Sequence, residues 1–422
     1  MNLHNSKISV FGLGYIGLPT AAVLASVGHE VIGVDVSQHI VDTVNRGEVH
    51  IVEPDLDGLV RGAVIAGRLR AVTRAEPADI FIIAVPTPFM GDKTPDLAFI
   101  EAATLALAPH LKPGNLVILE STSPVGTTEK VAKWLAQSRP DLSFPTAANG
   151  APDIHLAYCP ERVLPGSIVL ELVRNDRVIG GLTPTCTERA VQLYASFVRG
   201  RCVKTDARTA EMTKLTENAF RDVNIAFANE LSVICDHLSV NVWDLISLAN
   251  LHPRVNILNP GPGVGGHCIA VDPWFIVDSA PELARLIRTA RQVNDEKPNW
   301  VVEKILQEIN NIQGRKDAPV KIACLGLAFK ANIDDLRESP AVEIVKHLLA
   351  KNLAFHLLLV EPYIERLPVE LQGNPIAALV DSETALRDAD IVVLLVDHSH
   401  FKSITAEQLT EKKVIDTRGF WR

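Results

Sequence analysis

The sequence is short of basic charge. Its 41 Lys and Arg are outnumbered by 50 Asp and Glu, a formal net charge of -9 at pH 7. A folded acidic chain is poorly suited to nucleic acid, because a phosphate backbone demands a surplus of Lys and Arg; local basic pockets remain open. Cysteine is scarce and scattered: Cys159, Cys186, Cys202, Cys235, Cys268 and Cys324 form no CxxC pair. That spacing argues against a disulfide framework and against a zinc site, so no metal is expected. No apolar run reaches the roughly 18 residues of a membrane span. Residues 1–6, MNLHNS, are too short for a signal peptide ahead of the first strand. These absences predict a reduced, soluble, cytoplasmic protein with no membrane partner. What the chain does have is length and apolar content, 422 residues and 47% hydrophobic, enough for two or three domains.

The first half opens with KISVFGLGYIGLPTAAVLASVGHEVIGVDV, Lys7 to Val36. A short apolar strand, Ile8 to Phe11, runs into Gly12-x-Gly14-x-x-Gly17. A helical pattern follows, then a strand from Val31 to Val34 that ends at Asp35. A glycine triplet alone is a weak signal. Here it has a strand before it, a helix after it and an acid 18 positions past Gly17, which is the dinucleotide-binding unit. Gly12 makes the turn, Gly14 admits a pyrophosphate, and Gly17 lets helix and strand pack closely. The helix N-terminus offers free N–H groups to the phosphates. Asp35 is placed to bond the adenosine ribose hydroxyls and would repel a 2'-phosphate, so NAD is expected rather than NADP. Further strands are read in ADIFIIAVPTPF (78–89) and NLVILEST (115–122), each ending in a polar or proline loop. Ligands of open parallel sheets sit beyond the carboxyl ends of strands, which makes Thr87, Thr122 and Thr128 candidate cofactor neighbours; ordinary turn chemistry also explains them. AYCPERVLPGS (157–167) sets Glu161 and Arg162 on another loop. They are either a surface pair worth little or a general base beside a substrate-binding cation.

DARTAEMTKLTENAFRDVNIAFANELSVICDHL (206–238) lacks Gly and Pro, and its apolar positions recur at three and four, so it reads as one long helix. Lys214, Asn218 and Arg221 share one face; Met212, Leu215, Ala219 and Val223 take another. A lysine and an amide one turn apart can hold a developing oxyanion or shuttle a proton to a hydroxyl, unless the face is merely solvated. A helix of this length also suits a domain connector or a dimer interface. Arg285, Arg288 and Arg291, on a later helix, read as solvated or interfacial. NPGPGVGGHCIAVDPWF (259–275) is different. Cys268 follows Gly261, Gly263, Gly265 and Gly266, outside any regular apolar run. Glycine lets a backbone turn tightly and lets a ligand come close, so the segment reads as built to present its thiol.

From about Gly314 a second αβ unit begins. The strand Lys321–Leu325 leads to Gly326-Leu-Ala-Phe-Lys330, then Arg337-Glu-Ser-Pro, a helix and a strand ending at Glu361. Later strands are read in ADIVVLLVDH (389–398) and KKVIDTRG (412–419). The unit echoes the first with a broken glycine pattern and suggests a second nucleotide-like ligand. Lys330, Arg337 and Arg418 stand where phosphates could meet them, or are plain surface charges.

Seven stretches, GLGYIG (12–17), ESTSPVGTT (120–128), CPERVLPGS (159–167), EMTKLTENAFR (211–221), GPGVGGHCIAVDPWF (261–275), GLAFKANIDDLRESP (326–340) and DTRGF (416–420), follow in this order along essentially the whole chain. Together they resemble the UDP-glucose/GDP-mannose dehydrogenase family. Within it, PERVLPG and GGHCIAVDPWF look like the branch that oxidises UDP-N-acetylhexosamines. UDP-N-acetyl-D-mannosamine is the expected substrate; its gluco epimer and UDP-glucose are alternatives, as is a two-electron dehydrogenase or a non-catalytic NAD-binding protein. Family members often have Pro where Ala270 stands.

The resemblance implies oxidation of the sugar C6 alcohol to a carboxylate with consumption of two NAD+, here toward the mannosaminuronate of surface polysaccharides such as enterobacterial common antigen. It implies Cys268 as the nucleophile, passing through a thiohemiacetal to a thioester that water cleaves. Lys214 would be acid/base at the C6 oxygen with Asn218 beside it, Asp272 would orient a water or Lys214, and Glu161 would assist hydrolysis. Arg162, Val163, Arg221, His252, Arg254 and Gly265 would line the nucleotide-sugar site, with His252 and Arg254 reaching into a neighbouring subunit. Phe329, Lys330 and Arg418 would contact the substrate nucleotide; Tyr15, Ile16 and Asp35 would hold NAD, and Arg337 would meet it. The expected architecture is α/β: two Rossmann-like doubly wound parallel-sheet domains, 1–205 for NAD and 313–422 for the UDP-sugar, joined by a long-helix connector over 206–312 that carries Lys214 and Cys268. The active site is expected between the outer domains, in a homodimer.

Overall fold

The parallel-sheet strands are apolar on both faces, and that alone dictates sheets covered on both sides. The structure, a computed structural model, describes residues 5–91, 93–145, 152–164, 166–266, 268–313, 318–351 and 353–421. The chain divides into two compact units, 1–217 with 278–280, and 218–277 with 281–422.

The first unit holds β1 (Lys7–Phe11), β2 (Glu30–Val34), β3 (Leu69–Val72), β4 (Ile80–Ile83), β5 (Leu116–Leu119), β6 (His155–Tyr158), β7 (Arg177–Gly181) and β8 (Cys202–Asp206). They form one sheet in the order β3-β2-β1-β4-β5-β6-β7-β8. The order reverses between β1 and β4, the switch point at which open α/β sheets bind ligands. Successive side chains feed two separate cores: Ile80, Ile82, Leu116 and Ile118 enter one, Phe81, Ile83, Val117 and Leu119 the other, as the two-residue period of a strand requires. The expected parallel sheet has one exception. β6 and β7 pair antiparallel, Ala157 opposite Gly181, because residues 159–176 return the chain at the end where β6 finishes. The flanking helices are α1 (Gly17–Ser26), α2 (Gln38–Asn45), α3 (Leu56–Ile65), α4 (Ala98–Leu107), α5 (Thr127–Ser138), α6 (Ile168–Arg174) and α7 (Pro184–Tyr194).

Helix α8 (Ala207–His237) runs 31 residues without a breaker, and the division between the units falls inside it. Then come α9 (Val242–Ala249), α10 (Asp272–Ser279) and α11 (Arg285–Gln313). The predicted start of the second αβ unit at Gly314 lies outside the described residues. Its sheet is β9 (Val320–Leu325), β10 (Phe355–Val360), β11 (Ala377–Leu379), β12 (Ile391–Leu394) and β13 (Lys413–Asp416), in the order β11-β10-β9-β12-β13 and parallel throughout. Helices α12 (Pro340–Leu349), α13 (Ser382–Asp388) and α14 (Ala406–Leu409) complete it. Ile322 and Cys324 enter one core, Ala323 and Leu325 the other. Among the described residues, no helix is long and apolar enough to cross a membrane.

Candidate active site

At the switch point of the first unit, β1 ends in Gly12, whose φ is +86° and whose N–H donates to the Val34 carbonyl at 2.8 Å. A Cβ at Gly12 would lie 2.7 Å from the Ala84 carbonyl oxygen, and one at Gly17 would lie 1.7 Å from the Gly12 oxygen. The turn and the first residue of α1 therefore touch backbone to backbone. Gly14 has nothing within 4 Å of where a Cβ would stand, so its backbone face is open to an incoming group. No side chain caps α1, and its first turn carries no acid, which leaves its amide dipoles available to an anion. Asp35 closes the site: its Oδ2 accepts from Leu13 N–H and its Oδ1 from Ser37 N–H, both at 2.9 Å. Tyr15 is exposed and Ile16 half-buried, just before α1. These residues fit a dinucleotide pyrophosphate and ribose.

The three threonines differ. The Thr87 hydroxyl oxygen, in the loop after β4, is buried with no hydrogen-bond partner, as a ligand-facing group would be. Thr122, after β5, is half-buried. Thr128 is turned inward. Its N–H and hydroxyl donate to one Glu211 oxygen at 2.8 and 2.6 Å, while Gly126 N–H donates to the other at 2.6 Å; its hydroxyl proton is spent on Glu211 of α8. The sequence reading missed His50, which burial holds below its ordinary pKa against the opposing charge of Asp35; no spacing rule flags a lone histidine in a loop.

Glu161 and Arg162 are not partners through their side chains. Arg162 donates to Glu217 at 2.7 Å and to the Asp176 carbonyl. Glu161, 7% exposed, accepts from Arg162 N–H at 2.8 Å and pairs at 2.6 Å with Arg177, a residue of β7 that sequence reasoning did not single out. Val163 packs at the edge of a core. Lys214 is only 9% exposed, one turn along α8 from Glu211, and among the described residues of the first unit its amine makes no hydrogen bond or ion pair.

In the second unit Asn218 continues the Lys214 face of α8. Its amide donates to Asp272 Oδ2 at 2.5 Å. Asp272 is 2% exposed and begins α10, and its N–H donates to the Cys268 carbonyl at 2.8 Å. The exposed Cys268 thus sits on a turn whose far end is anchored by a buried acid and an amide. The glycine run before it serves packing first. A Cβ at Gly265 would lie 2.3 Å from the Glu338 carbonyl oxygen, at Gly266 2.9 Å from the Phe329 ring, and at Gly261 2.5 Å from Arg418 Nη1. The run therefore gathers Phe329 and Arg418, two of the residues expected at the substrate nucleotide. Arg418 is held by Asp397 at 2.9 Å, and Asp416 organises its turn by accepting from the N–H groups of Arg418, Phe420 and Trp421. Lys330 and Arg221 are exposed. Arg337 is exposed and forks onto Asp335 at 2.9 and 2.7 Å. His252 and Arg254 lie exposed on the loop after α9.

A buried network ties this loop to both long helices. Asn229 accepts from Gly261 N–H at 2.8 Å and donates to Asn294; Asn294 donates to Asp222, which pairs with Arg291 at 2.5 Å. Arg291 is fully buried, which corrects its reading as solvated or interfacial: Asp222 and Asp295 supply the counter-charges that make its burial tolerable. Beside Pro260 and Thr417 lies a cavity of about 560 Å³ walled by Trp243, Trp300 and Lys297. Lys297 donates to Ser232 at 2.6 Å and stands 3.7 Å over the Trp300 ring.

The second unit repeats the first turn with a difference. Gly326, φ +92°, donates to the Val360 carbonyl as Gly12 does to Val34. The acid ending the second strand, Glu361, reaches further than Asp35. One of its oxygens accepts from Leu327 N–H, Ala328 N–H and His398 Nε2 at 2.7, 3.0 and 3.0 Å. The next helix, α12, starts at Pro340, 14 residues past Gly326, whereas α1 starts 5 past Gly12.

Three sequence profiles of one family match the chain: UDP-glucose/GDP-mannose dehydrogenase family, NAD binding domain over residues 6–198, central domain over 208–296 and UDP binding domain over 323–422. The chain is 65% identical to an NDP-N-acetyl-D-galactosaminuronic acid dehydrogenase of Ralstonia nicotianae, covering 98% of this chain and 96% of that protein. It is 61% identical to the UDP-N-acetyl-D-mannosamine dehydrogenase of Yersinia pestis, covering 98% and 99%. The solved structure of a UDP-D-ManNAc dehydrogenase from Pyrococcus horikoshii superposes with a TM-score of 0.85 at 38% identity, covering 99% of this chain and 96% of that one.

Proposed function

This chain belongs to the UDP-glucose/GDP-mannose dehydrogenase family and is an NAD-dependent UDP-sugar dehydrogenase, and we propose that it oxidises C6 of UDP-N-acetyl-D-mannosamine from alcohol to carboxylate, a four-electron reaction. The observation that carries this reading is Cys268: an exposed thiol on a turn fixed by Asp272 and Asn218. The Gly12–Gly17 turn and Asp35 would hold NAD, which would supply the hydride acceptor for each oxidation. Lys214, with an amine unspent within its unit, takes the C6 hydroxyl proton as the alcohol becomes an aldehyde. The Cys268 sulfur then bonds to the aldehyde carbon as a thiohemiacetal, which the second oxidation, with loss of a hydride and the hydroxyl proton, converts to a thioester. Asn218 and Asp272 keep the turn and the developing oxyanion in register, and water, oriented by Glu161, cleaves the C–S bond. Thr87 and Thr122 flank the cofactor and Arg337 meets it, while Thr128 supports that loop from inside. Arg162, Val163, Arg221, Gly265, Phe329, Lys330 and Arg418 hold the nucleotide sugar. Segment 206–312 acts as connector between the NAD domain and the UDP-sugar domain. The enzyme works in the cytoplasm as a homodimer, with His252 and Arg254 serving the partner's site, and its uronate feeds a surface polysaccharide.

A second reading changes only the sugar. The Ralstonia relative, at 65% identity, carries a galacto name, so the galacto epimer competes with the manno one. The deciding measurement is moles of NADH formed per mole of UDP-N-acetyl-D-mannosamine consumed at completion, repeated with the galacto and gluco epimers. A ratio near two with the manno epimer, at the highest kcat/KM of the three, is expected. A ratio near one would leave an aldehyde product and remove the thioester role of Cys268.

A further inference from the structure

The mechanism uses Glu161 but leaves its surroundings unexplained. Behind it, sealed from solvent, lie Arg177 at 2% exposed, Glu120 at 2%, and Tyr194, Cys159 and Thr20 at 0%. Arg177 pairs with Glu161 at 2.6 Å, donates to the Leu172 carbonyl at 3.2 Å, and sits 5.2 Å over the Tyr194 ring. The Tyr194 hydroxyl donates to Glu120 at 2.6 Å, and Thr20 donates to its other oxygen at 3.4 Å. Buried charges of this kind are costly, and a well-packed apolar replacement often does as well for stability alone. Two carboxyls around one guanidinium is more than a packing problem requires.

We propose that Arg177 is a positioning residue for Glu161 in the hydrolytic half-reaction, and that Glu120, acting through Tyr194, fixes Arg177 in turn. This rests on the reading of Glu161 given above. In that half-reaction the water oxygen adds to the thioester carbon and the C–S bond breaks. The bonding pair returns to the Cys268 sulfur, which takes one proton from the water; the other is released as the product ionises. A carboxylate orients that water only if it is itself held still, and Glu161 is held from two sides, one oxygen by the Arg177 guanidinium and the other by Arg162 N–H. Glu120 makes the hold pH-sensitive. Burial pushes its pKa up to about 7, Arg177 opposing and Glu161 adding to the rise. The groups facing it are Arg177 of β7, Glu161 and Cys159 of the loop after β6, Tyr194 of α7 and Thr20 of α1; burial pushes the Cys159 thiol up to about 12, so it stays neutral. As pH rises through about 7, Glu120 ionises and competes with Glu161 for Arg177.

The test compares Glu161→Gln, Arg177→Lys, Arg177→Met and Glu120→Gln in the full-length enzyme. Each is acid-quenched during turnover of NAD and UDP-N-acetyl-D-mannosamine, and the intact mass is read for an acyl adduct on Cys268. Expected for Arg177→Met are a kcat lower by about 10- to 100-fold, a KM that falls with it so that kcat/KM stays within about threefold, which marks loss of a step after the acyl enzyme forms, and an accumulated adduct. Arg177→Lys recovers part of the rate, and Glu120→Gln removes the pH limb near 7 from kcat. A lowered kcat with no adduct in either Arg177 variant, while Glu161→Gln accumulates it, would make Arg177 purely structural and overturn the proposal. No adduct in Glu161→Gln would remove the hydrolytic role of Glu161 itself, and this proposal with it. If Arg177→Met does not fold, Arg177→Lys alone decides by the same adduct.

Discussion

Two glycines of one turn separate folding from binding at the scale of a single Cβ. At Gly17 the added carbon would sit 1.7 Å from a backbone oxygen, so Gly17→Ala is expected to destabilise the first unit by about 2–4 kcal/mol through forced backbone movement, seen as a lower midpoint in urea. At Gly14 the same carbon meets nothing within 4 Å. Gly14→Ala is expected to leave the midpoint within about 0.5 kcal/mol and to raise the NAD KM about tenfold or more, because the methyl stands where the pyrophosphate approaches. Lys297 gives a residue-scale pH effect. Burial lowers its pKa from 10.5 to about 7, so between those values the unfolded chain holds a proton that the folded protein has shed. The stability linked to the neutral amine is full above about 10.5 and is lost as pH falls through about 7. Lys297→Met is expected to flatten the rise in stability between pH 7 and 10, measured by denaturant titration at each pH.

At the scale of elements, α5 depends on α8. Glu211 alone satisfies Gly126 N–H, Thr128 N–H and the Thr128 hydroxyl. Glu211→Ala strands buried donors and is expected to cost about 2–3 kcal/mol, with Glu211→Gln recovering part of it. The sequence carried the elements whose signals are local: the glycine turn and its flanking strands, the breaker-free α8, the exposed Cys268 turn with its glycines. It also carried Lys214 and Asn218 on one face of α8. It did not carry Arg177 behind Glu161, Glu211 under Thr128, or the Asn229–Asn294–Asp222–Arg291 network. Those contacts join residues separated by up to 85 positions, and no periodicity reports a side chain whose partner arrives through the fold. Arg291 shows the limit plainly, since a charge on a helix looks solvated until Asp222 is found opposite it.

For the molecule as a whole, α8 leaves Phe220, Phe227 and Ile234 exposed at spacings of seven, with exposed Leu238 four positions on, just past its end, one apolar stripe. A stripe of that kind marks an interaction surface. For the proposed homodimer, Phe227→Glu is expected to shift the species seen by sedimentation velocity from dimer to monomer, and to lower activity through the proposed role of His252 and Arg254 at the partner's site. A wild-type monomer at micromolar concentration would remove the homodimer.

The two nucleotide folds of the chain also treat excess cofactor differently. Glu361 already ties off the amides of Leu327 and Ala328, and the helix that should greet a pyrophosphate starts too late. That half is expected to refuse NAD, so the two ligands would not contend for one seat. The reaction rate is therefore expected to climb to a plateau as NAD is raised and to stay there, with none of the decline at high concentration that misplaced cofactor causes.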